Sequence, residues 1–470
     1  MSKSTGYPKI IFLAHCPLLL IAGVGDEDIS PASSLALKSL CQNCHIFLAG
    51  SMQELLDLYR QVQAMGDVAL HSQSTSMDEE DVENVLEAVT IVVASLPYEA
   101  KRTTVQIMID SVAQPIQMML APVQSNQANP DAGQISLVLP LFERVTTILR
   151  NVDDPEDVAD ILHRFWPWVD TALQVYVHDG AASEKICRVP RYAIRSAKQS
   201  TSKSVPLISQ ALTNKFDQTR HACYLYVASE LVKTFGHDSS YDQFLQPMLG
   251  SMLTSACQGL GSLQAASSQP DLTDDIFLLA GRGLNYSPRL LMTEHLLSVL
   301  IATARNALLI QHREACASVA AFLVRLLDPG THRKCTEDQV RTLQACFEPQ
   351  AEIITRLALA GGVGALPSSR IHEMVDVLYA LLKSSKDSVA WVKAALSPVP
   401  MQAVGPSITY RFYSICQAVV VDEIGEDDER HLLDALAELS EVCRRHHKVQ
   451  HLVMQALLPP EFQYYNNISA

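Results

Sequence analysis

The sequence is poor in the residues that mark several protein classes. Its 470 residues include only 19 glycines and 23 prolines, and aromatic residues make up 6% of the chain. This scarcity excludes a fibrous or low-complexity chain, and a hydrophobic share of 48% excludes intrinsic disorder. Basic residues are outnumbered, since 36 Lys and Arg face 51 Asp and Glu for a formal charge of −15. That balance argues against direct nucleic-acid binding and favours basic partners.

Long apolar runs are also absent. No uninterrupted stretch reaches the roughly 18 residues of a membrane-spanning helix, so we expect no membrane association. The nearest candidate is the apolar run 10–23, which His15 and Pro17 interrupt. Residues 1–23 therefore form an atypical N-terminal segment. A targeting signal is one alternative for it, and a buried helix or an unusual chain start is favoured.

Signatures of catalysis are scarce as well. The sequence has no G-x-x-x-x-G-K-[ST], H-E-x-x-H or G-x-S-x-G motif. Cys41, Cys44 and His45 match the C-x-x-C-H spacing of haem attachment, but they lie in an apolar helical stretch that favours buried thiols. The 11 cysteines are odd in number and scattered, which indicates reduced thiols rather than disulfides. We predict no cofactor and no enzymatic activity.

One further set of residues has metal-binding potential. Cys443, His447 and His451 are spaced so that one helix face would present all three. Basic residues surround them, and this positive charge opposes a bound cation. We therefore predict no metal site and interpret the segment as a basic helix end.

Helical periodicity dominates the remaining sequence. Apolar residues recur at i, i+3, i+4 and i+7 in 82–93, 141–149 and 432–442. About 18 helices fit the chain, close to the HEAT repeat spacing of about 40–47 residues per helix pair. We predict an all-α fold, a HEAT-repeat α-solenoid of antiparallel helix pairs. It would span 24–460 in about nine to ten repeats, with 461–470 as a tail; two or three helical bundles are the alternative.

Two clusters of charge interrupt this pattern. Six acidic residues between Asp78 and Glu87 predict a solvated helix N-terminus, with contact to a basic partner as the alternative. The second cluster is basic, within 184–198, and we call it the arginine stripe. Its members are Lys185, Arg188, Arg191, Arg195 and Lys198.

The arginine stripe suits an anionic ligand. On a helix its last four members fall within an arc of roughly 80°. Arginine forms bidentate contacts with phosphate, so the stripe predicts docking of a phosphorylated or acidic segment. A solvated basic face is the alternative. Pro190 would either kink this helix or lie in its first turn, leaving Arg188 outside.

Seven segments in a fixed order carry a family resemblance. They are Ser33–Cys44, Val85–Pro97, Glu184–Lys198, Val205–Ile208, Tyr224–Gly236, Leu272–Phe277 and His312–Cys316. Together they resemble the C-terminal half of nuclear import receptors of the transportin-SR (transportin-3) type, in the importin-β superfamily. The resemblance covers roughly residues 24–455.

The resemblance implies a karyopherin that shuttles between nucleus and cytoplasm. It implies phosphorylated Arg/Ser-rich splicing factors as cargo, with nucleoporins and the small GTPase Ran as further partners. In that family an arginine-rich helix binds the phosphorylated cargo, and the arginine stripe matches this helix. The chain is expected to begin within the repeat array, without the family's Ran-binding N-terminal repeats. A helical-repeat scaffold without transport activity is the alternative function, and an all-helical enzyme is a third.

Overall fold

The structure is a computed structural model that describes residues 24, 29–72, 78–124, 137–152, 154–422 and 425–462. It is 87% helical, and the residues described contain no strand, so the predicted all-α class is confirmed. The chain divides into two compact units, residues 1–211 and 212–470, and the division falls within helix α8 (Val205–Thr219). Residues 1–23 and most of 461–470 lie outside the described residues. The predicted boundaries at 24 and 460 therefore stay predictions.

The first unit is built from helices that stack in chain order. They are α1 Ser30–Leu48, α2 Met52–Ser72, α3 Glu79–Ala94, α4 Tyr98–Gln124, α5 Val138–Asn151, α6 Pro155–Val175 and α7 Gly180–Ala197. One layer runs α1, α3, α5, α7, each helix packing on the one before. A second layer runs from α4 to α6 and then to a 3₁₀ segment, Lys198–Ser204. Helices of the two layers pack pairwise, α4 with α5 and α6 with α7.

The second unit repeats this arrangement. Its helices are α9 Ala222–Phe235, α10 Asp242–Gln258, α11 Leu263–Ser268, α12 Pro270–Tyr286, α13 Glu294–Ala307, α14 Arg313–Leu327, α15 Pro329–His332, α16 Glu337–Ala360, α17 Ile371–Ser384, α18 Ser388–Leu396, α19 Met401–Val404, α20 Pro406–Val420, α21 Asp428–Arg445 and α22 His447–Leu457. One layer runs α9, α12, α14, α17, α21 and the other α10, α13, α16, α18, α20. Within each unit, stacking in chain order is the packing of a solenoid rather than of a closed bundle.

Apolar stripes in the sequence become the contacts between these layers. Val82, Val85 and Val89 of α3 are completely buried, as are Phe142 and Val145 of α5. Each helix thus buries the face that its periodicity predicts and leaves the opposite face to solvent. None of the helices described here is long and apolar enough to span a bilayer.

The acidic start of α3 is not the solvated helix end that the sequence predicts. Glu79 accepts two hydrogen bonds from the fully buried Arg144, at 3.0 and 3.1 Å. Asp81 is buried and accepts from the hydroxyls of Ser30 and Ser34. Glu79 and Asp81 therefore hold neighbouring helices together. The prediction of a solvent-exposed acidic helix start is correct only for the exposed acids, such as Glu80.

We expect Glu79→Gln to destabilise the first unit. The substitution keeps the shape of the side chain but leaves the buried guanidinium of Arg144 without its carboxylate. The free energy of unfolding should fall by about 2–3 kcal/mol in urea titrations followed by circular dichroism. The matched control is Glu80→Gln, one residue along and exposed, which should change stability by less than about 0.5 kcal/mol. Equal effects of the two substitutions would contradict a structural role for the Glu79–Arg144 pair.

Candidate functional site

Helix α7 carries the arginine stripe, and its start is fixed by a side-chain cap. The carboxylate of Asp179 accepts a hydrogen bond from the backbone N–H of Ala182 at 3.0 Å. On the buried side, Ile186, Val189 and Ile194 are fully buried as α7 packs on α5 and α6. The opposite face is therefore the one that carries the basic residues.

The structure brings four of the five stripe residues onto α7. Arg188 and Arg195 are exposed, and Lys185 and Arg191 are partly exposed. Lys198 departs from the prediction, because α7 ends at Ala197 and Lys198 has a positive φ of 48°. The helical arc therefore covers the three arginines, whereas Lys198 is an exposed cation just beyond the helix end.

Pro190 lies in the interior of α7, and the helix continues past it from Gly180 to Ala197. Its ring is buried with the apolar face. The predicted alternative of a first-turn proline is wrong, because the Asp179 cap starts the helix well before it. Arg188 consequently lies inside the helix and in register with Arg191 and Arg195.

Two stripe residues already contact carboxylates. Nζ of Lys185 lies 3.0 Å from Oε1 of Glu143 on α5. Arg188 donates to Oε1 of Glu184, one turn earlier on α7, at 3.0 Å. Both members of the second pair are about half exposed, and such pairs contribute only about 0.3–0.5 kcal/mol. Arg188 can therefore exchange Glu184 for a more highly charged anion at little cost.

The two ends of the stripe differ in their surroundings. Burial raises the pKa of Glu83, and the charges of Glu143 and Glu79 raise it further, against the opposing effect of Lys185 and Arg144. A group of carboxylates thus borders the Lys185 end. At the other end, the guanidinium of Arg195 lies over the ring of Tyr192, 6.0 Å from its centroid. This contact orients Arg195 and leaves its positive charge in place. The part of the stripe between Arg188 and Arg195 is therefore where an anion would bind best.

Three residues of this site escaped the sequence analysis. Glu184 and Tyr192 lie four and three residues from Arg188 and Arg195, the spacings at which helical side chains meet, so the sequence did hold a signal for both. Glu143 belongs to α5. Only the packing of α5 on α7 brings it to Lys185, and no local spacing indicates that contact.

The structure separates the residues of the candidate metal set. Cys443 is buried in α21, whereas His447 and His451 belong to α22. Between them His446 has extended backbone angles, φ −133° and ψ 124°, which end α21. The continuous helix face that the spacing suggests is therefore wrong. Within the described ranges, no group of three or more His, Cys, Asp or Glu side chains could hold a metal ion.

The C-x-x-C-H segment contains a buried thiol. Cys41 has no exposed surface, and burial raises its pKa to about 12. Its helix, α1, packs against α3. The geometry supports the structural interpretation of this cysteine, and the ten cysteines within the described ranges are all free thiols.

Comparison with known proteins places this site in a family context. Residues 156–260 match a family model described as the fourth TPR domain of transportin-3 and importin-13, a region that contains all of α7. Transportin MOS14 of Arabidopsis thaliana is 28% identical over 446 residues, which cover 94% of this chain and 45% of that protein. The chain thus resembles karyopherins of the importin-β/transportin type. The predicted resemblance is thereby confirmed.

Two further matches are to an uncharacterised protein and to a solved structure. An uncharacterised protein of Schizosaccharomyces pombe is 23% identical over 324 residues, covering 66% of this chain and 31% of that protein. A solved structure titled "Importin13 cytosolic state" superposes with a TM-score of 0.71 at 16% identity, over 93% of this chain and 48% of that one. The predicted HEAT-repeat α-solenoid fold is confirmed. The chain spans less than half the length of each of these relatives.

Removing the cap of α7 should loosen the helix that carries the stripe. We expect Asp179→Ala to lower the free energy of unfolding by about 1 kcal/mol, because the N–H of Ala182 loses its acceptor. Asp179→Asn retains an acceptor oxygen and is the matched control, with an expected loss of only about 0.3 kcal/mol. Urea unfolding followed by circular dichroism would compare the two. Indistinguishable losses would show that the side-chain cap does not stabilise α7.

Proposed function

We propose that this chain is the cargo-binding part of a non-enzymatic nuclear transport receptor, and that α7 binds phosphorylated Arg/Ser-rich segments of protein cargo. The observation that carries the proposal is a row of three arginines on one helix of an acidic chain, with Arg188 and Arg195 exposed and Arg191 partly exposed. The karyopherin type of the chain supports the transport role. In that role the chain would move between nucleus and cytoplasm and contact nucleoporins. A contact with Ran would have to use repeats other than the Ran-binding N-terminal repeats that the sequence is expected to lack.

The spacing of the stripe suits alternating phosphoserines. Along α7, Arg188, Arg191 and Arg195 are separated by rises of about 4.5 and 6 Å. In an extended Arg/Ser repeat, successive serines are about 6.6 Å apart. Each phosphate carries up to two negative charges and three acceptor oxygens, which match the guanidinium fork. One extended cargo segment can thus meet successive arginines with successive phosphates.

A phosphate that binds Arg188 competes with an internal carboxylate. When a phosphate takes Arg188, the carboxylate of Glu184 loses its partner at 3.0 Å. Binding then exchanges one exposed internal ion pair for an intermolecular pair with a more highly charged anion. Such binding is electrostatic and should weaken as salt increases.

The alternative function is a helical-repeat scaffold that holds protein partners without transporting them. The observation that favours this scaffold function is that the chain spans less than half the length of its relatives. Accumulation of the tagged chain at the nuclear rim would favour the receptor, and its absence there would favour the scaffold.

Charge reversal of the stripe should abolish phosphate-dependent binding. We expect the triple variant Arg188→Glu/Arg191→Glu/Arg195→Glu to bind a phosphorylated Arg/Ser-repeat peptide more than about tenfold more weakly, because three phosphate contacts become repulsive. Fluorescence anisotropy of the labelled peptide measures the affinity. The control variant Arg60→Glu/Arg102→Glu/Arg164→Glu changes the net charge equally at exposed positions of the same unit. Equal binding of the unphosphorylated peptide by the unaltered chain would refute the mechanism.

Removing the competing carboxylate should strengthen binding. We expect Glu184→Gln to raise the affinity for the phosphorylated peptide about twofold to threefold, because Arg188 no longer exchanges an internal partner. Asp160→Asn removes the same charge from an exposed position on α6 and should change the affinity less. A decrease with Glu184→Gln would instead indicate that Glu184 mainly binds cargo arginines.

A further inference from the structure

The second unit contains a convergence of basic side chains that the proposed function does not use. Lys233 lies on α9, Arg282 on α12 and Arg325 on α14. These three helices are consecutive in one layer, because α12 packs on α9 and α14 packs on α12. We call these three residues the three-helix basic cluster.

Two members of the three-helix basic cluster meet at one buried carboxylate. Nη1 of Arg282 lies 3.0 Å from Oε1 of Glu230, and Nζ of Lys233 lies 4.0 Å from Oε2. The side chain of Glu230 is only 5% exposed, whereas those of Arg282 and Lys233 are 34% and 48% exposed. The carboxylate is thus on the inner side of the cluster, and both cations reach solvent.

The third member lies beside this pair. A Cβ on Gly281 would come within 2.6 Å of Nη1 of Arg325, so the guanidinium of Arg325 covers Gly281, the residue next to Arg282. Within the described ranges, no carboxylate lies at ion-pair distance from Arg325. A further cation, Lys334, donates to the backbone oxygen of Asn285, three residues after Arg282 on α12, at 3.0 Å.

The three-helix basic cluster has more cations than its one buried carboxylate needs as partners. Glu230 needs one cation, and Arg282 supplies it at hydrogen-bond distance. Two nearby carboxylates have local partners: Asp274 accepts from the hydroxyl of Ser318, and Asp328 from the N–H of Thr331. Lys233, which is exposed, and Arg325, which is partly exposed, therefore add positive charge beyond the Glu230–Arg282 pair in a chain whose formal charge is −15.

We propose that the three-helix basic cluster is a second docking surface, which binds an extended acidic segment of a partner protein. Charge complementarity identifies the occupant. Stacked helices lie about 8–10 Å apart, and an extended peptide advances about 3.3 Å per residue. A segment that crosses α9, α12 and α14 would therefore present carboxylates two or three residues apart. The proposal does not depend on the arginine stripe, because no residue of α7 takes part.

The test uses a fluorescein-labelled peptide of repeated Gly-Gly-Glu, with Gly-Gly-Gln as the uncharged probe, in fluorescence anisotropy. The full chain carries Arg188→Gln/Arg191→Gln/Arg195→Gln throughout, so that α7 cannot supply the binding. The cluster variant adds Lys233→Gln/Arg325→Gln. Arg282 is retained, because its loss would strand the buried Glu230. The control variant adds Arg313→Gln/Arg341→Gln, two exposed arginines of the same unit.

We expect the Gly-Gly-Glu peptide to bind the stripe-substituted chain, and the cluster variant to bind it about tenfold more weakly. The control variant should bind like its parent, and Gly-Gly-Gln should not bind. The proposal is overturned if the stripe-substituted chain does not bind Gly-Gly-Glu, or if the cluster and control variants lose affinity equally. A further measurement uses the variant Lys233→Gln/Arg325→Gln with an intact arginine stripe. If this variant still binds a phosphorylated Arg/Ser peptide, the two sites are distinct.

Discussion

Burial of one apolar face per helix is the constraint on which this structure depends. A single helix pair cannot bury its own apolar stripe, so each pair must stack on the next. Completely buried residues such as Val85 of α3 and Val145 of α5 occupy these layer contacts. Stacking leaves each helix one exposed face, and the residues on that face are the ones able to meet a partner. The arginine stripe and the three-helix basic cluster both lie on such faces.

The same stacking determines what the charges do. Many acidic residues are used between neighbouring helices, as in the pairs Glu79–Arg144, Glu87–Arg150 and Glu230–Arg282. A negative net charge therefore does not translate into a uniformly acidic surface. Each of these pairs is neutral, so the formal charge of −15 is carried by the other residues, and local groups of cations can face solvent where few acids lie beside them.

Residues that suggest chemistry in the sequence also serve packing. Cys41 has no exposed surface, and Cys443 is buried against its neighbours. The glycine segment Gly361–Ala365 is a π-helical turn whose backbone oxygens accept from Ser440, Arg444 and Gln450. A side chain on Gly362 would meet Leu436 at 2.8 Å, so glycine is needed there for close approach. These residues pack or hydrogen-bond between elements of the stack.

Local periodicity was enough to predict the helices and the arc of Arg188, Arg191 and Arg195, because helix geometry relates residues three and four apart. It left helical bundles as an alternative to the solenoid, and the family resemblance favoured the HEAT-type fold. Contacts between helices could not be obtained in this way. Glu143 reaches Lys185 only through the packing of α5 on α7. His446 ends a helix that spacing alone would continue through His447. Lys233, Arg282 and Arg325 are far apart in the chain and share no motif. Only the stacking of three helices brings their charges to one surface.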